Sequence, residues 1–145
     1  MKTLYTGFKG MNNASSQLVS ALNGSVVLLT NSFQGIERDI AMLDEKYDSV
    51  IMTGIDPTLT SSIRLENCAE YYGEKLYSAF PVGLLTARCD EMKISYQLSS
   101  QPTKYLCNAA YWHMLRKNQS TIFIHIPSIK RMDSVFMNSL VELLK

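Results

Sequence analysis

Three side chains suited to acyl transfer stand far apart in the chain: Glu66 in "SIRLENCAEYY", Cys107 in "YLCNAAYWHML" and His125 in "STIFIHIP". A thiol is a useful nucleophile when an imidazole takes its proton, and the imidazole works when a carboxylate or amide orients it. Cys107 falls where an apolar, aromatic helix should begin, and helix N-termini favour a thiolate through unpaired amides and the macrodipole. Its neighbours Asn108, Ala109 and Ala110 are small enough to leave a carbonyl room to approach. His125 lies in the apolar run "IFIHI", where an imidazole is costly without a partner. Each residue also has an ordinary reading. Free cysteine is among the most buried residue types, a strand histidine often bonds to backbone, and a strand glutamate usually faces water. Spacing alone does not choose between these readings.

Other chemistries lack their signatures. The cysteines, Cys68, Cys89 and Cys107, are odd in number and irregularly spaced, a poor disulfide framework, and no Cys-x-x-Cys pair suggests zinc. Cys68 and Cys89 read as buried apolar residues. His113 and His125 are twelve residues apart and form no short metal motif, so no metal or other cofactor is expected. His113 reads as a helix-surface or packing residue. "TGIDPTLTSS" lacks the glycines with which a backbone wraps phosphate. The net charge of +1 and the isolated basic pairs Arg116-Lys117 and Lys130-Arg131 argue against nucleic acid or an anionic membrane as partner. No apolar run approaches the ~18 residues of a membrane span, and "MKTLYTGFKG" reads as a strand rather than a signal peptide, so a cytoplasmic location is the expectation.

The elements that must position these residues alternate regularly. Lys2 to Thr6, "SVVLLT" and Asp48 to Ile55 read as strands, the second and third as strands buried on both sides. Between them, "NNASSQLVSAL" reads as a helix capped by Asn13 or a following serine. "FQGIERDIAMLDEK" carries Phe33, Ile36, Ile40 and Leu43 at helical spacing. Ser62 to Tyr72 reads as extended, "FPVGLLTARCDEM" as a helix, "KISYQLS" as a period-two strand, and "KYLCNAAYWHMLRK" as a helix with basic residues at its end. "STIFIHIP" is a buried strand, and "DSVFMNSLVELLK" a closing helix capped by Asp133 or Ser134. With 145 residues, 46% hydrophobic and 19% charged, the pattern predicts a single α/β domain over residues 1–145. It should have three α/β/α layers around a twisted, mostly parallel sheet, with ligands at the carboxyl ends of the strands.

In this order the segments resemble pyroglutamyl peptidase I (pyrrolidone-carboxylate peptidase), a cysteine peptidase family with an α/β/α fold. "MKTLYTGF" resembles its opening strand and "DSVIMTG" its third strand. "SIRLENCA" resembles the Ile-x-x-Glu-Arg-x-Ala segment of the triad acid, here Glu66. "YLCNAA" resembles the aromatic-x-Cys-Asn of the nucleophile, here Tyr105, Cys107 and Asn108. "FIHIP" resembles Phe-Ile-His-Val/Ile-Pro of the base, here His125. The resemblance implies release of an N-terminal pyroglutamyl group from small peptides with blocked N-termini. The main-chain amides of Cys107 and Asn108 would form the oxyanion hole, and Phe8, Met11, Asn13 and Tyr105 would line the acyl site. It also implies a possible homo-oligomer.

The departures bear on the substrate. Phe8 matches the first of two ring-sandwiching phenylalanines, but Met11 stands for the second and the paired glycines after it are absent. Asn13 matches the asparagine of an Asn-Pro-Ser helix start. "GIDPTLTSS" replaces a Gly-Gln-Ala-Gly-Gly-Arg loop, with Ile55 in the glutamine position. Asn67 replaces the arginine after the acid, and "EYYGEKLYSA" replaces a longer segment bearing an Asp-Ala-Arg motif, with loss of an active-site arginine. Besides the pyroglutamyl exopeptidase, two readings remain: a triad-retaining relative acting on another cyclic or small acyl amide, and a non-catalytic binding relative. An unrelated α/β domain would keep Cys107 and His125 apart, without a shared cleft.

Overall fold

Strand alternation divides the apolar residues into two sets, and each set finds its own layer of helices. The computed structural model describes residues 1–145. Its strands are β1 (Thr3–Phe8), β2 (Ser25–Leu29), β3 (Ser49–Ile55), β4 (Ser62–Glu66), β5 (Cys68–Tyr71), β6 (Glu74–Tyr77), β7 (Ser95–Ser99) and β8 (Thr121–Ile126). Its helices are α1 (Ala14–Ser20), α2 (Phe33–Ala41), α3 (Val82–Met92), α4 (Tyr105–Lys117) and α5 (Ser134–Leu144). Leu4, Leu29, Val50, Met52 and Phe123 pack with Ile36 and Ile40 of α2 and with Tyr111, Met114 and Leu115 of α4. The alternate residues Ile51, Ile63, Leu65, Ile122, Ile124 and Ile126 pack with α1, α3 and α5. This is the expected three-layer α/β/α arrangement.

The central sheet has six strands in the order β2-β1-β3-β8-β4-β7. All neighbours are parallel except β4 and β8, which run antiparallel. Strand β8 therefore joins two halves of the sheet that are otherwise separate. The extended segment from Ser62 to Tyr72 is two strands: Asn67 interrupts it, donating its amide to the Ser99 carbonyl at 2.8 Å and accepting from Ser78 N at 2.9 Å. Its second half, β5, turns back as a hairpin with β6 against α4, outside the main sheet. The "SVVLLT" strand is not buried on both sides. It is the edge strand β2, and only Leu29 is fully covered. No helix is long and apolar enough to cross a membrane.

Local chemistry places the helices. Asn13 Oδ1 caps α1, accepting from Ser15 N at 2.9 Å and Ser16 N at 3.4 Å. Asp133 caps α5 through Phe136 N at 2.7 Å. Lys117, in the basic last turn of α4, reaches the end of α2 and donates to the Ile40 carbonyl at 2.8 Å, tying the two helices together.

Candidate active site

Sheet register assembles the site. On β8, Phe123 and His125 point to the α2/α4 face, and His125 pairs in register with Gly54 of β3 and Arg64 of β4. Glu66, two residues beyond Arg64, shares that face and pairs with Phe123. His125 Nδ1 lies 2.8 Å from Glu66 Oε2, and the two side chains are only 5% and 1% exposed. Burial at this level leaves the carboxylate dependent on its partners.

Cys107 closes the site from α4. A β-carbon built on Gly54 would lie 2.8 Å from Cys107 Sγ, 2.7 Å from Phe123 Cζ and 3.0 Å from Phe123 Cε1. The sulfur thus sits over the glycine that neighbours His125. The Phe123 ring, 4.9 Å from the His125 ring centroid, walls this space from below. Only a residue without a side chain leaves room for sulfur and ring together.

The resting thiol is not activated by its helix. Burial pushes Cys107 up to about 12, the carboxylates of Glu66 and Asp56 push the same way, and the Arg64 guanidinium partly opposes them. The first turn of α4 was expected to favour a thiolate; desolvation and two nearby anions outweigh it. Proton transfer to an imidazole during attack is the route open to a neutral thiol. Glu66, when ionised, can only accept a hydrogen bond, so the 2.8 Å contact puts the proton on His125 Nδ1. That tautomer leaves Nε2 with a free lone pair.

Two charged residues at the site were not foreseen. Arg64 donates from Nε to Glu66 Oε2 at 2.6 Å and pairs through Nη1 with Asp56 Oδ2 at 2.7 Å, while Nη2 lies 3.4 Å from His125 Nδ1. Asp56 accepts in turn from the Thr58 amide at 2.8 Å and hydroxyl at 2.6 Å. Burial pushes Asp56 upward, but Thr58 and Arg64 outweigh it and hold the carboxyl at about 2. Period-two alternation in "SIRLE" was the signal for Arg64, which must share the face of Glu66.

The remaining expected residues separate into two groups. Asn108 turns its side chain away from any reaction and clamps the hairpin: Oδ1 accepts from Glu70 N at 3.0 Å and Nδ2 donates to Glu70 O at 2.6 Å. Cys107 lies in the first turn of α4, whose leading amides lack acceptors within the helix. Phe8 is buried at the end of β1 in the α2/α4 core. Met11 is 94% exposed in the loop before α1, and Asn13 is occupied as a cap. Tyr105 is 82% exposed and left-handed, with φ of 64°. Such a conformation is strained in a non-glycine residue, and the ring stands largely in solvent. Cys68 and Cys89 are free and fully buried. His113 packs its ring 5.8 Å from Tyr71 and 5.2 Å from Trp112, and burial lowers its basicity. No group of metal-ligating side chains is present.

No protein-family model matches the chain, and no curated protein does either. Solved structures do. Pyrrolidone carboxyl peptidase from Thermus thermophilus is 20% identical with a TM-score of 0.78, over 98% of this chain and 97% of that one. The Thermococcus litoralis enzyme is 19% identical with a TM-score of 0.81, over 99% and 89%. That of Fervidobacterium islandicum is 16% identical with a TM-score of 0.74, over 99% and 94%. This chain has their α/β fold from end to end.

Proposed function

We propose that the chain is a divergent cysteine exopeptidase of the pyroglutamyl-peptidase I type, with Cys107 as nucleophile, His125 as base and Glu66 as the residue that orients it. The observation that carries this reading is the buried His125–Glu66 pair beside Gly54, with the Cys107 sulfur over that glycine. The end-to-end likeness in fold to pyrrolidone carboxyl peptidases supports it. In the proposed reaction Cys107 Sγ bonds to the carbonyl carbon of the N-terminal residue while His125 Nε2 takes the thiol proton. First-turn amides of α4, at Cys107 and Asn108, would steady the oxyanion. His125 returns its proton to the leaving amine, the C–N bond breaks, and an acyl-enzyme remains. Water, deprotonated by His125, then releases the acid and regenerates the thiol.

The exposure of Met11 and Tyr105 favours a second reading of the substrate. Two flexible or outward-turned side chains make a looser wall than paired rings, so another small acyl amide could be the better substrate. The test is incubation with a pyroglutamyl chromogenic amide and a panel of other acyl amides, beside Cys107→Ala. Release that depends on Cys107 supports the exopeptidase, and the preferred acyl group selects between the readings. Release from none, with no selective alkylation of Cys107, refutes both.

A further inference from the structure

The Asp56–Arg64–Glu66 chain is more than a surface ion pair would require. Arg64 is three-quarters buried and two of its guanidinium nitrogens are paired with carboxylates, Nη1 with Asp56 and Nε with Glu66, while Nη2 lies 3.4 Å from His125 Nδ1. Its position is over-determined, because Asp56 is itself fixed by both polar groups of Thr58. The groups converging here are Asp56 from the end of β3, Arg64 and Glu66 from β4, His125 from β8 and Cys107 from α4. Tyr111 of α4 donates its hydroxyl to the Glu66 carbonyl at 2.7 Å and completes the shell.

We propose that Arg64 and Asp56 form a charge pair that sets the reactivity of the Cys107–His125 couple. Arg64 is the positioning residue: it holds the Glu66 carboxylate against the imidazole and favours the thiolate. Asp56 anchors the guanidinium, while its own charge opposes the thiolate. The proposal rests on Cys107 and His125 being the reactive couple, and the two members of one ion pair then act on the sulfur in opposite senses. A guanidinium suits this task because it binds two carboxylates at once in a fixed plane, which an ammonium cannot do.

The test is the rate of Cys107 alkylation by iodoacetamide at one fixed, mildly alkaline pH, followed by mass spectrometry on intact folded protein. Alkylation rate follows the thiolate fraction and needs no substrate. Arg64→Met should slow alkylation at that pH by about tenfold, as expected for loss of one neighbouring charge. Asp56→Asn should speed it. Arg64→Lys, which keeps the charge but cannot hold both carboxylates, should restore only part of the rate. If Arg64→Met does not fold, Arg64→Gln gives the same reading. A merely structural clamp would change the rate in one direction whichever side was broken, so equal-signed changes, or none, overturn the proposal. Opposite changes in a protein that cleaves no acyl amide would refute the peptidase reading and leave the charge pair standing.

Discussion

Gly54→Ala tests the packing of the Cys107 sulfur over β3. The added methyl would lie 2.8 Å from Cys107 Sγ and 2.7 Å from Phe123 Cζ, where ordinary contacts between heavy atoms are about 3.5–4.0 Å. Something must move by about 1 Å. Phe123 has little freedom: it is fully buried, with its ring 5.6 Å from Tyr111 and 4.9 Å from His125. The strain therefore falls largely on the thiol and on the start of α4. Overpacking of this kind costs about 1–3 kcal/mol. A nucleophile displaced by ~1 Å loses about a hundredfold in rate. Urea unfolding reads the first quantity, and Cys107-dependent amide cleavage reads the second. Gly83→Ala, where an added methyl meets nothing within 4 Å, is the control. Combining Gly54→Ala with Cys107→Ala removes the sulfur from the clash and should recover part of the lost stability, a coupling that a double-mutant cycle isolates. A Gly54→Ala protein that unfolds at the wild-type urea concentration and reacts at the wild-type rate would refute this placement of Cys107.

Two further outcomes follow from the site's supports. Asn108→Ala removes both bonds to Glu70 and should cost about 1–3 kcal/mol in urea unfolding, with faster amide exchange in β5 and β6; unchanged exchange there would show that the hairpin is held by other contacts. Asp56 is held well below its ordinary value in the folded chain, so its ionised form favours folding: this contribution is complete above about pH 5 and fades as the pH falls towards 2. Thermal melts should show the wild type losing more stability than Asp56→Asn between pH 5 and about pH 2.5, and equal losses would contradict the assigned pairing.

Local features of the sequence reveal the parts of this site but not the way they join. The helix beginning at Cys107 and the apolar strand around His125 are visible because each depends on residues near in sequence. Their meeting depends on β8 lying between β3 and β4, a pairing between segments some sixty to seventy residues apart that no local periodicity records. The same limit hid Arg64. Alternation places it beside Glu66, but its engagement with Asp56 depends on where the loop after β3 turns. β6 was missed because "EKLY" is short, polar and mostly exposed, stabilised by pairing to β5 and by the Trp112 indole, which donates to the Glu74 carbonyl at 3.0 Å. The edge position of β2 was equally invisible, since "SVVLL" is as apolar as an interior strand.

The place of β8 also governs when the site can exist during folding. Strands β1, β2 and β3 can associate early, and β4 can meet β7, but each group keeps an unpaired edge until residues 121–126 enter between them. That step closes long loops and belongs among the slow, non-local events of folding. His125 is carried in by the closing strand itself, so the thiol gains its base as the two sheet halves become one. A chain whose β8 has not yet entered lacks both His125 and the Phe123 wall beside the thiol, so the proposed chemistry would appear together with the completed sheet.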